Sequence, residues 1–318
     1  MTTTSLHHLQ RPEGRIAYTL HGAPTAPLVV LAPGMGDLRD TWRELVGPLA
    51  AAGYRVAVTD LRGHGDSDTT FRTHGDVATA TDLLALVEHL GGPAVLVGSS
   101  MSAGSAAWAG AERSDLVAGL VLTGPMLRDP AGGRGTRWLT ALLYRALFAR
   151  PWGAAVWATY YRGTLNRGAR APWLDEHVAV LRAALRDPAH LRSFRDLTTV
   201  LTHAPVEARL AEVVAPALAF VGDRDPDFRD PKAEAAWMRT ALHADVEVLP
   251  GVAHYPHHQA PQVVVPRTLA FLASLPRDAA GRFRAPRSAP GTKEAAPDGP
   301  PAPAVAVPVS TPRNGARA

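Results

Sequence analysis

Hydrophobic and polar positions divide most of this chain into short apolar runs that alternate with amphipathic stretches. An apolar run of this length, bounded by Gly, Pro or polar residues, is typical of a β-strand. The predicted strands are Ile16–Leu20, Leu28–Leu31, Tyr54–Thr59, Ala94–Val97, Val117–Thr123, Ala217–Val221 and Val246–Leu249. The predicted helices are Thr41–Ala52, Val77–Leu90, Ser105–Ala111, Pro231–Leu242 and Pro261–Leu275. This alternation predicts an α/β fold in which a mostly parallel central sheet is covered by helices on both faces.

Two regions break the alternation. Residues 125–207 are helical in pattern and rich in aromatic residues, which predicts a helical lid inserted between a first core part, residues 1–124, and a second, residues 208–275. The aromatic residues are Trp138, Tyr144, Phe148, Trp152, Trp157, Tyr160, Tyr161 and Trp173. Each can serve either the lid's own core or a pocket beneath it. Residues 276–318 are rich in Pro and Ala with little to bury, which predicts a disordered tail.

Composition narrows the classes of function. Of the 318 residues 46% are hydrophobic, enough for a large globular core. The formal net charge of +4 comes from arginines spread along the chain without a basic stripe, so nucleic acid is not an expected partner. The absence of cysteine excludes thiolate chemistry and cysteine zinc sites. With neither a membrane span nor a signal peptide in its pattern, the chain is expected to be cytoplasmic.

The sequence around Ser100 joins a strand end to a helix start. The apolar run Ala94–Val97 stops at Gly98, and an Ala-rich helical stretch begins directly after Ser100. A serine on such a tight turn projects its hydroxyl into solvent, and the turn needs small residues two positions to either side, here Gly98 and Ser102. Amide groups at the start of the helix can stabilise an anion in the same space. The segment predicts a nucleophilic serine at position 100, a placement that Ser99 and Ser102 lack.

A serine nucleophile needs a base and a third group that orients the base. The candidates follow two later predicted strands: Asp223, Asp225 and Asp227 after one, and His254, His257 and His258 after the other. The order along the chain is therefore Ser, Asp, His. The three histidines could indicate a metal site, but no acidic cluster accompanies them, and we interpret His257 and His258 as surface residues.

Five motifs in this order resemble the α/β-hydrolase superfamily over roughly residues 14–275. They are Pro33-Gly34-Met35-Gly36, Asp60-Leu61-Arg62-Gly63-His64-Gly65-Asp66-Ser67, the turn around Ser100, Gly222 to Asp225, and Gly251 to His254. The resemblance implies Ser100 as nucleophile, His254 as general base and then acid, and Asp225 as the carboxylate that orients the imidazole. It also implies an oxyanion hole made by the backbone amides of Met35 and Met101. We expect no cofactor and no metal.

The chain departs from the superfamily's pattern at two positions. Pro33 stands where many relatives have a histidine that braces the oxyanion loop, and Ser102 stands where many have glycine. His64 is expected to brace the tight loop at residues 62–65. Because residue 100 is Ser and not Asp, the resemblance disfavours the dehalogenase and epoxide-hydrolase branches, which use a carboxylate nucleophile.

The leading functional hypothesis is a serine hydrolase that cleaves an ester, thioester or related acyl bond of a small apolar substrate through an acyl-enzyme on Ser100. The same triad on this fold could serve C–C bond hydrolysis, lactone opening, perhydrolysis or acyl transfer, and the sequence does not separate these reactions. The second hypothesis is a ligand-binding protein without turnover, against which the intact triad argues. A small acyl substrate is the expected partner, and the oligomeric state is left open.

Overall fold

The computed structural model describes residues 5–129 and 137–286, and its centre is an eight-stranded sheet. The strands are β1 (Leu6–Arg11), β2 (Gly14–His21), β3 (Leu28–Ala32), β4 (Arg55–Thr59), β5 (Ala94–Ser99), β6 (Val117–Thr123), β7 (Ala217–Gly222) and β8 (Asp245–Leu249). Their spatial order is β1-β2-β4-β3-β5-β6-β7-β8. In this sheet β2 runs antiparallel to both of its neighbours, β1 and β4, and β3 to β8 are mutually parallel. The predicted mostly parallel α/β fold is confirmed.

Helices cover both faces of this sheet, and a further group of helices lies between β6 and β7 along the chain. They are α1 (Arg43–Ala51), α2 (Asp76–Leu90), α3 (Met101–Glu112), α4 (Arg137–Leu147), α5 (Gly153–Tyr160), α6 (Leu174–Ala184), α7 (Pro188–Val200), α8 (Ala204–Glu207), α9 (Pro231–Ala241), α10 (Pro256–Gln259) and α11 (Pro261–Ser274). One apolar cluster joins a face of the sheet to α2, α3 and α9, and another joins the opposite face to α1 and α11. In the part of the chain that the structure describes, no helix combines the length and apolar character needed to cross a membrane.

The central strands pack as their apolar sequences predict. All five residues of β3 are buried, with Leu28 and Val30 in one cluster and Val29 and Leu31 in the other. In the ladder to β5, Val30 lies opposite Leu96. Because β5, β7 and β8 are parallel, the loops that follow them meet at one edge of the sheet.

The segment from α4 to α8, between β6 and β7, is called here the helical insertion. It has an apolar cluster of its own, in which Phe148, Trp157 and Tyr161 are buried. Trp138 and Trp152, by contrast, are exposed. The aromatic residues of this region therefore do not share one role. The start of the predicted lid includes residues 130–136, which lie outside the described residues.

The predicted tail begins later than residue 276. Phe283 is 1% exposed, and its ring stacks on that of Tyr54 with ring centres 5.9 Å apart. Arg277 donates a hydrogen bond to the Tyr54 hydroxyl at 3.1 Å and lies over both rings. Residues 276–286 are thus packed against the core, contrary to the predicted boundary, and residues 287–318 lie outside the described residues.

Candidate active site

Ser100 occupies a strained turn between β5 and α3. Its backbone angles are φ 54° and ψ −121°, a region that residues with a side chain rarely adopt. Its amide donates a hydrogen bond to the Thr123 carbonyl at 2.9 Å, which fixes the turn to β6. A Cβ at Gly98 would lie 2.4 Å from the Ser102 carbonyl oxygen, so the turn closes only with glycine there. This local packing holds Ser100 at the carboxyl edge of the sheet.

His254 and Asp225 come together at the same edge, from the loops after β8 and β7. Nδ1 of His254 lies 2.9 Å and 3.1 Å from the two carboxylate oxygens of Asp225. Because a carboxylate only accepts, Nδ1 carries the proton, and Nε2 is the nitrogen that can receive another. An oxygen of Asp227 lies farther away, 3.5 Å from Nδ1. The Asp223 carboxylate accepts instead from the Gly251 amide at 2.8 Å, so Asp225 is the acid that pairs with His254.

The carboxylates of Asp225 and Asp227 raise the pKa of His254. Burial of the imidazole acts to lower its pKa, but the negative charges of Asp225 and Asp227 and the hydrogen bond to Asp225 raise the pKa of His254 to about 9. The two carboxylates therefore favour the protonated form of the ring. A base with this pKa becomes more effective as the pH rises toward 9.

Ser100 and His254 line one cavity of about 660 Å³, and so do Met35 and Met101. Much of the wall is apolar or aromatic and includes Met126, Tyr144, Leu147, Phe148, Val156, Trp157, Leu165, Leu201 and Tyr255. The polar patch of the wall consists of Asp129, Thr140, Thr198, Thr199, His203 and Asp227. Among the described residues, neither lysine nor arginine lines the cavity. Such a wall fits a mainly apolar ligand with a few hydrogen-bonding groups.

Ser102 links the two segments that carry the expected oxyanion donors. Its buried hydroxyl donates to the Pro33 carbonyl at 2.5 Å. This bond joins the first turn of α3, which carries the Met101 amide, to the loop after β3, which carries the Met35 amide. Many relatives have glycine at position 102 and histidine at position 33. In this chain, the hydroxyl of Ser102 thus supplies some of the support for the loop after β3 that the histidine would give.

Gly36, in the loop after β3, is held at both of its backbone polar groups. Its amide donates to Nε2 of His64 at 3.1 Å, and its carbonyl accepts from the Trp157 indole at 2.7 Å. With φ +69° and a would-be Cβ only 2.6 Å from Trp157 and Phe194, this position requires glycine. Burial lowers the pKa of His64 to about 4, which keeps the ring neutral while Nδ1 donates to the Arg62 carbonyl at 3.0 Å. His64 therefore braces the loop after β3 as well as its own.

Comparison with known proteins agrees with this geometry. The model of a family described as "Alpha/beta hydrolase family" matches residues 29–267, which is most of the chain. The chain belongs to the α/β-hydrolase family. The predicted superfamily resemblance is thereby confirmed, and membership of the family supports hydrolysis as the class of reaction.

Relatives within the family differ in the reactions for which they are named. Soluble epoxide hydrolase from Corynebacterium sp. (strain C12) is 25% identical over 298 residues, which cover 86% of this chain and 100% of that protein. The 2-hydroxy-6-oxononadienedioate/2-hydroxy-6-oxononatrienedioate hydrolase from Comamonas testosteroni is 26% identical over 286 residues, covering 85% and 91%. Epoxide hydrolase A from Mycobacterium tuberculosis (strain ATCC 25618 / H37Rv) is 39% identical, but over only 26% of either chain. The solved structure of epoxide hydrolase VrEH1 from Vigna radiata has a TM-score of 0.71 at 19% identity, covers 86% of this chain and 99% of that one, and shows the fold alone.

Asp37 is a buried carboxylate that the sequence pattern does not single out. It accepts hydrogen bonds from His177 at 2.7 Å and from the Tyr161 hydroxyl at 3.0 Å, over sequence separations of 140 and 124 residues. Burial acts to raise the pKa of Asp37, but the charge and hydrogen bond of His177, with the Leu38 amide, hold that pKa below its usual value. Since His177 lies on α6, this pair ties the helical insertion to the loop after β3. No local pattern could reveal a contact over such separations.

A third buried Asp–His pair, Asp76 and His203, borders the cavity. Nδ1 of His203 lies 2.7 Å from a carboxylate oxygen of Asp76, and Ser105 donates to the other oxygen at 3.3 Å. Burial acts to lower the pKa of His203, but the hydrogen bond and charge of Asp76 raise it above its usual value. Because Nδ1 is engaged and His203 lines the cavity, Nε2 is the ring nitrogen left for a ligand.

His257 and His258 are buried, so the interpretation of them as surface residues is wrong. His257 lies between the hydroxyls of Thr41 and Thr123, at 3.0 Å and 3.1 Å. The ring of His258 stacks on Tyr255 with ring centres 5.1 Å apart. Burial lowers the pKa of both histidines well below the usual value, so both are neutral parts of the core.

Proposed function

We propose that this chain is a serine hydrolase that cleaves an ester, thioester or related acyl bond. Ser100 is the nucleophile, His254 the general base and then acid, and Asp225 the carboxylate that orients the imidazole. One observation carries the proposal: Ser100, on its strained turn, lines the same cavity as His254, whose Nδ1 is bonded to Asp225. The amides of Met35 and Met101, which line that cavity too, are the proposed oxyanion donors.

In the proposed reaction, the Ser100 hydroxyl attacks the substrate's carbonyl carbon and passes its proton to Nε2 of His254. The carbonyl electrons move onto oxygen, where the two amides donate hydrogen bonds, each worth about 10²–10³ in rate. The leaving group then departs with the proton from His254, and the acyl group stays on Ser100 as an ester. Water attacks this ester in the same way, with His254 as base, and releases the acid and the free serine.

The cavity favours an uncharged and mainly apolar acyl group. Among its described lining residues are the carboxylate of Asp227 and many apolar side chains, without a lysine or arginine. A substrate carboxylate buried there would have no lysine or arginine among the described lining residues to pair with, which is costly. The polar patch that includes His203 can accommodate a neutral hydrogen-bonding group.

C–C bond hydrolysis by the same triad is the main alternative, and the Comamonas testosteroni relative favours it. That relative, however, is named for a dioate, whose two carboxylates this cavity wall does not favour. Epoxide hydrolysis, for which the Corynebacterium relative is named, is disfavoured by a serine at position 100. Lactone opening, perhydrolysis and acyl transfer would use the same residues with a different acyl donor or acceptor.

Intact-protein mass spectrometry after incubation with a fluorophosphonate tests the nucleophile. We expect a single adduct on the native chain and on Ser99→Ala, and none on Ser100→Ala. Ser99 is a matched control because its buried hydroxyl has no hydrogen-bond partner among the described residues, so its removal leaves nothing unpaired. An adduct that persists in Ser100→Ala would overturn the assignment.

Initial rates on p-nitrophenyl esters of increasing acyl length test the substrate class. We expect turnover that rises with chain length until the acyl group fills the cavity. Asp225, Asp227 and His254 could together also hold a metal ion, since their ligand atoms lie within 4.8 Å of one another, so each rate is measured with and without EDTA. Loss of turnover with EDTA would contradict the serine mechanism, and the absence of both adduct and turnover would favour a ligand-binding protein.

A further inference from the structure

Helix α4 carries most of its apolar residues on one side, and that side is exposed. Trp138, Leu139, Leu142 and Leu143 are each between 54% and 69% exposed. The apolar face of an amphipathic helix normally packs against the core of the protein. Within residues 5–129 and 137–286, the outer side of α4 therefore has no apolar partner of the kind that its sequence predicts.

Exposed apolar side chains are concentrated around this helix. Of thirteen large apolar side chains that are exposed among the described residues, eight lie between positions 138 and 160. They are Trp138, Leu139, Leu142, Leu143, Tyr144, Leu147, Trp152 and Tyr160. Single exposed apolar residues need no explanation, but a cluster of them marks an interaction site.

The cavity accounts for only one side of α4. The residues of α4 that line it are Thr140, Ala141, Tyr144 and Leu147. Their spacing of three and four residues places them on one side of the helix. By the same geometry Trp138 and Leu142 lie on the other side, at the edge of the cavity and not within it. The outer side is thus a separate surface that borders the candidate active site.

Positive charge is concentrated in this part of the sequence, and two of the arginines are exposed on or next to α4. Between Asp129 and Asp175 the chain has seven arginines and no lysine, aspartate or glutamate. Arg145 on α4 and Arg150 shortly after it are exposed. Tryptophan, exposed here at positions 138 and 152, favours the boundary between water and lipid. An apolar helix face combined with arginine and tryptophan is typical of helices that lie in a membrane interface.

We propose that the outer side of α4 binds the surface of an anionic lipid bilayer. The exposed leucines of α4, with Trp138 and Trp152, would contact lipid, and Arg145 and Arg150 would contact the head groups. A second copy of this chain is the competing occupant. A two-fold dimer through this surface would bring the arginines of both copies together, where like charges repel, whereas an anionic surface attracts them. The cavity beside α4 would then draw its acyl substrate from the lipid, an extension that rests on the proposed function.

Co-sedimentation with lipid vesicles tests the proposal. The protein is full-length Ser100→Ala, so that the result does not depend on turnover, and the probes are phosphatidylcholine vesicles with and without phosphatidylglycerol. We expect binding to the anionic vesicles that weakens as salt is added, because salt screens the arginines. Leu142→Glu, in the same background, should weaken that binding by at least about tenfold, since it removes apolar contact and adds a negative charge.

Leu6→Glu is the matched control, because Leu6 is an exposed leucine on the edge strand β1, at 43% exposure. It should bind vesicles as the parent does, and thermal unfolding checks that both variants are folded. No binding to anionic vesicles, equal binding to neutral ones, or equal loss in both glutamate variants would overturn the proposal. A dimer in light scattering that Leu142→Glu dissociates would assign this surface to a second copy. None of these measurements uses the fluorophosphonate adduct. A negative result for lipid binding is therefore distinct from a negative result for the proposed hydrolase activity.

Discussion

Replacement of Asp227 by Asn is predicted to shift the pH dependence of the proposed reaction to lower pH. An oxygen of Asp227 lies 3.5 Å from Nδ1 of His254, and its charge helps to raise the pKa of His254 to about 9. Two unit charges at this separation interact by about 1 kcal/mol in water, which corresponds to about one pKa unit. The side chain of Asp227 is 27% exposed, so the water-screened value is the appropriate one. We therefore expect the pKa of His254 to fall by about one unit in the variant.

The rate of fluorophosphonate addition to Ser100, followed from neutral to alkaline pH, measures this shift without any choice of substrate. The base must be neutral, so at pH 7 the variant should react up to about tenfold faster than the native chain, and the two rates should converge above pH 9. Asp223→Asn is the matched control, because its carboxylate accepts from the Gly251 amide at 2.8 Å, and its profile should match the native one. Coincident profiles for native and Asp227→Asn, or a native rate already constant from pH 7, would refute the reasoning.

Three further substitutions test other parts of the molecule. Phe283→Ala should lower the free energy of unfolding, measured by urea titration, by about 3–5 kcal/mol because it deletes a buried ring. Removal of residues 287–318 should leave the urea midpoint of unfolding unchanged. Native stability of Phe283→Ala would show that residues 276–286 do not support the core. Ser102→Ala should lower kcat on p-nitrophenyl esters by about two- to tenfold with KM nearly unchanged, because a hydrogen bond worth about 0.5–1.5 kcal/mol no longer holds Pro33; a change confined to KM would contradict this role. His203→Gln should slow esters with a hydroxyl or keto group in the acyl chain more than plain acyl esters, and equal losses on both would argue against the polar patch as a substrate contact.

The central strands were predictable because their environment is uniform. A parallel strand buried on both faces is a continuous apolar run, and β6 accordingly has the predicted bounds, Val117–Thr123. The edge strand β1 was missed because only Leu9 of its six residues is buried. Its extended conformation comes from pairing with β2, in which Leu9 lies opposite Ile16, and that partner is not part of the local pattern.

The candidate site likewise combines features that depend on adjacent residues with features that depend on residues far away in the sequence. The turn at Ser100 depends on a few adjacent residues, so its sequence signal is local. The contact of Trp157 with Gly36 joins positions 121 residues apart, and no periodicity predicts it. Phe283 was assigned to the tail for a similar reason. A single aromatic residue in a Pro-rich segment has no apolar spacing, and the ring of Tyr54 on which it stacks is far away in the sequence.

Two helices of the helical insertion, α5 and α6, are hydrogen-bonded to the loop after β3. Trp157 on α5 donates to Gly36, and His177 on α6 donates to Asp37, so both helices are bonded to the loop that carries the proposed Met35 donor. Displacement of α5 or α6 would break buried hydrogen bonds and disturb that loop at once. Most of the described side chains of α4 are exposed, and four of its residues line the cavity. Entry of a substrate past α4 would leave the hydrogen bonds of Trp157 and His177 to the loop in place, so the helix proposed to contact lipid could move without breaking those two bonds.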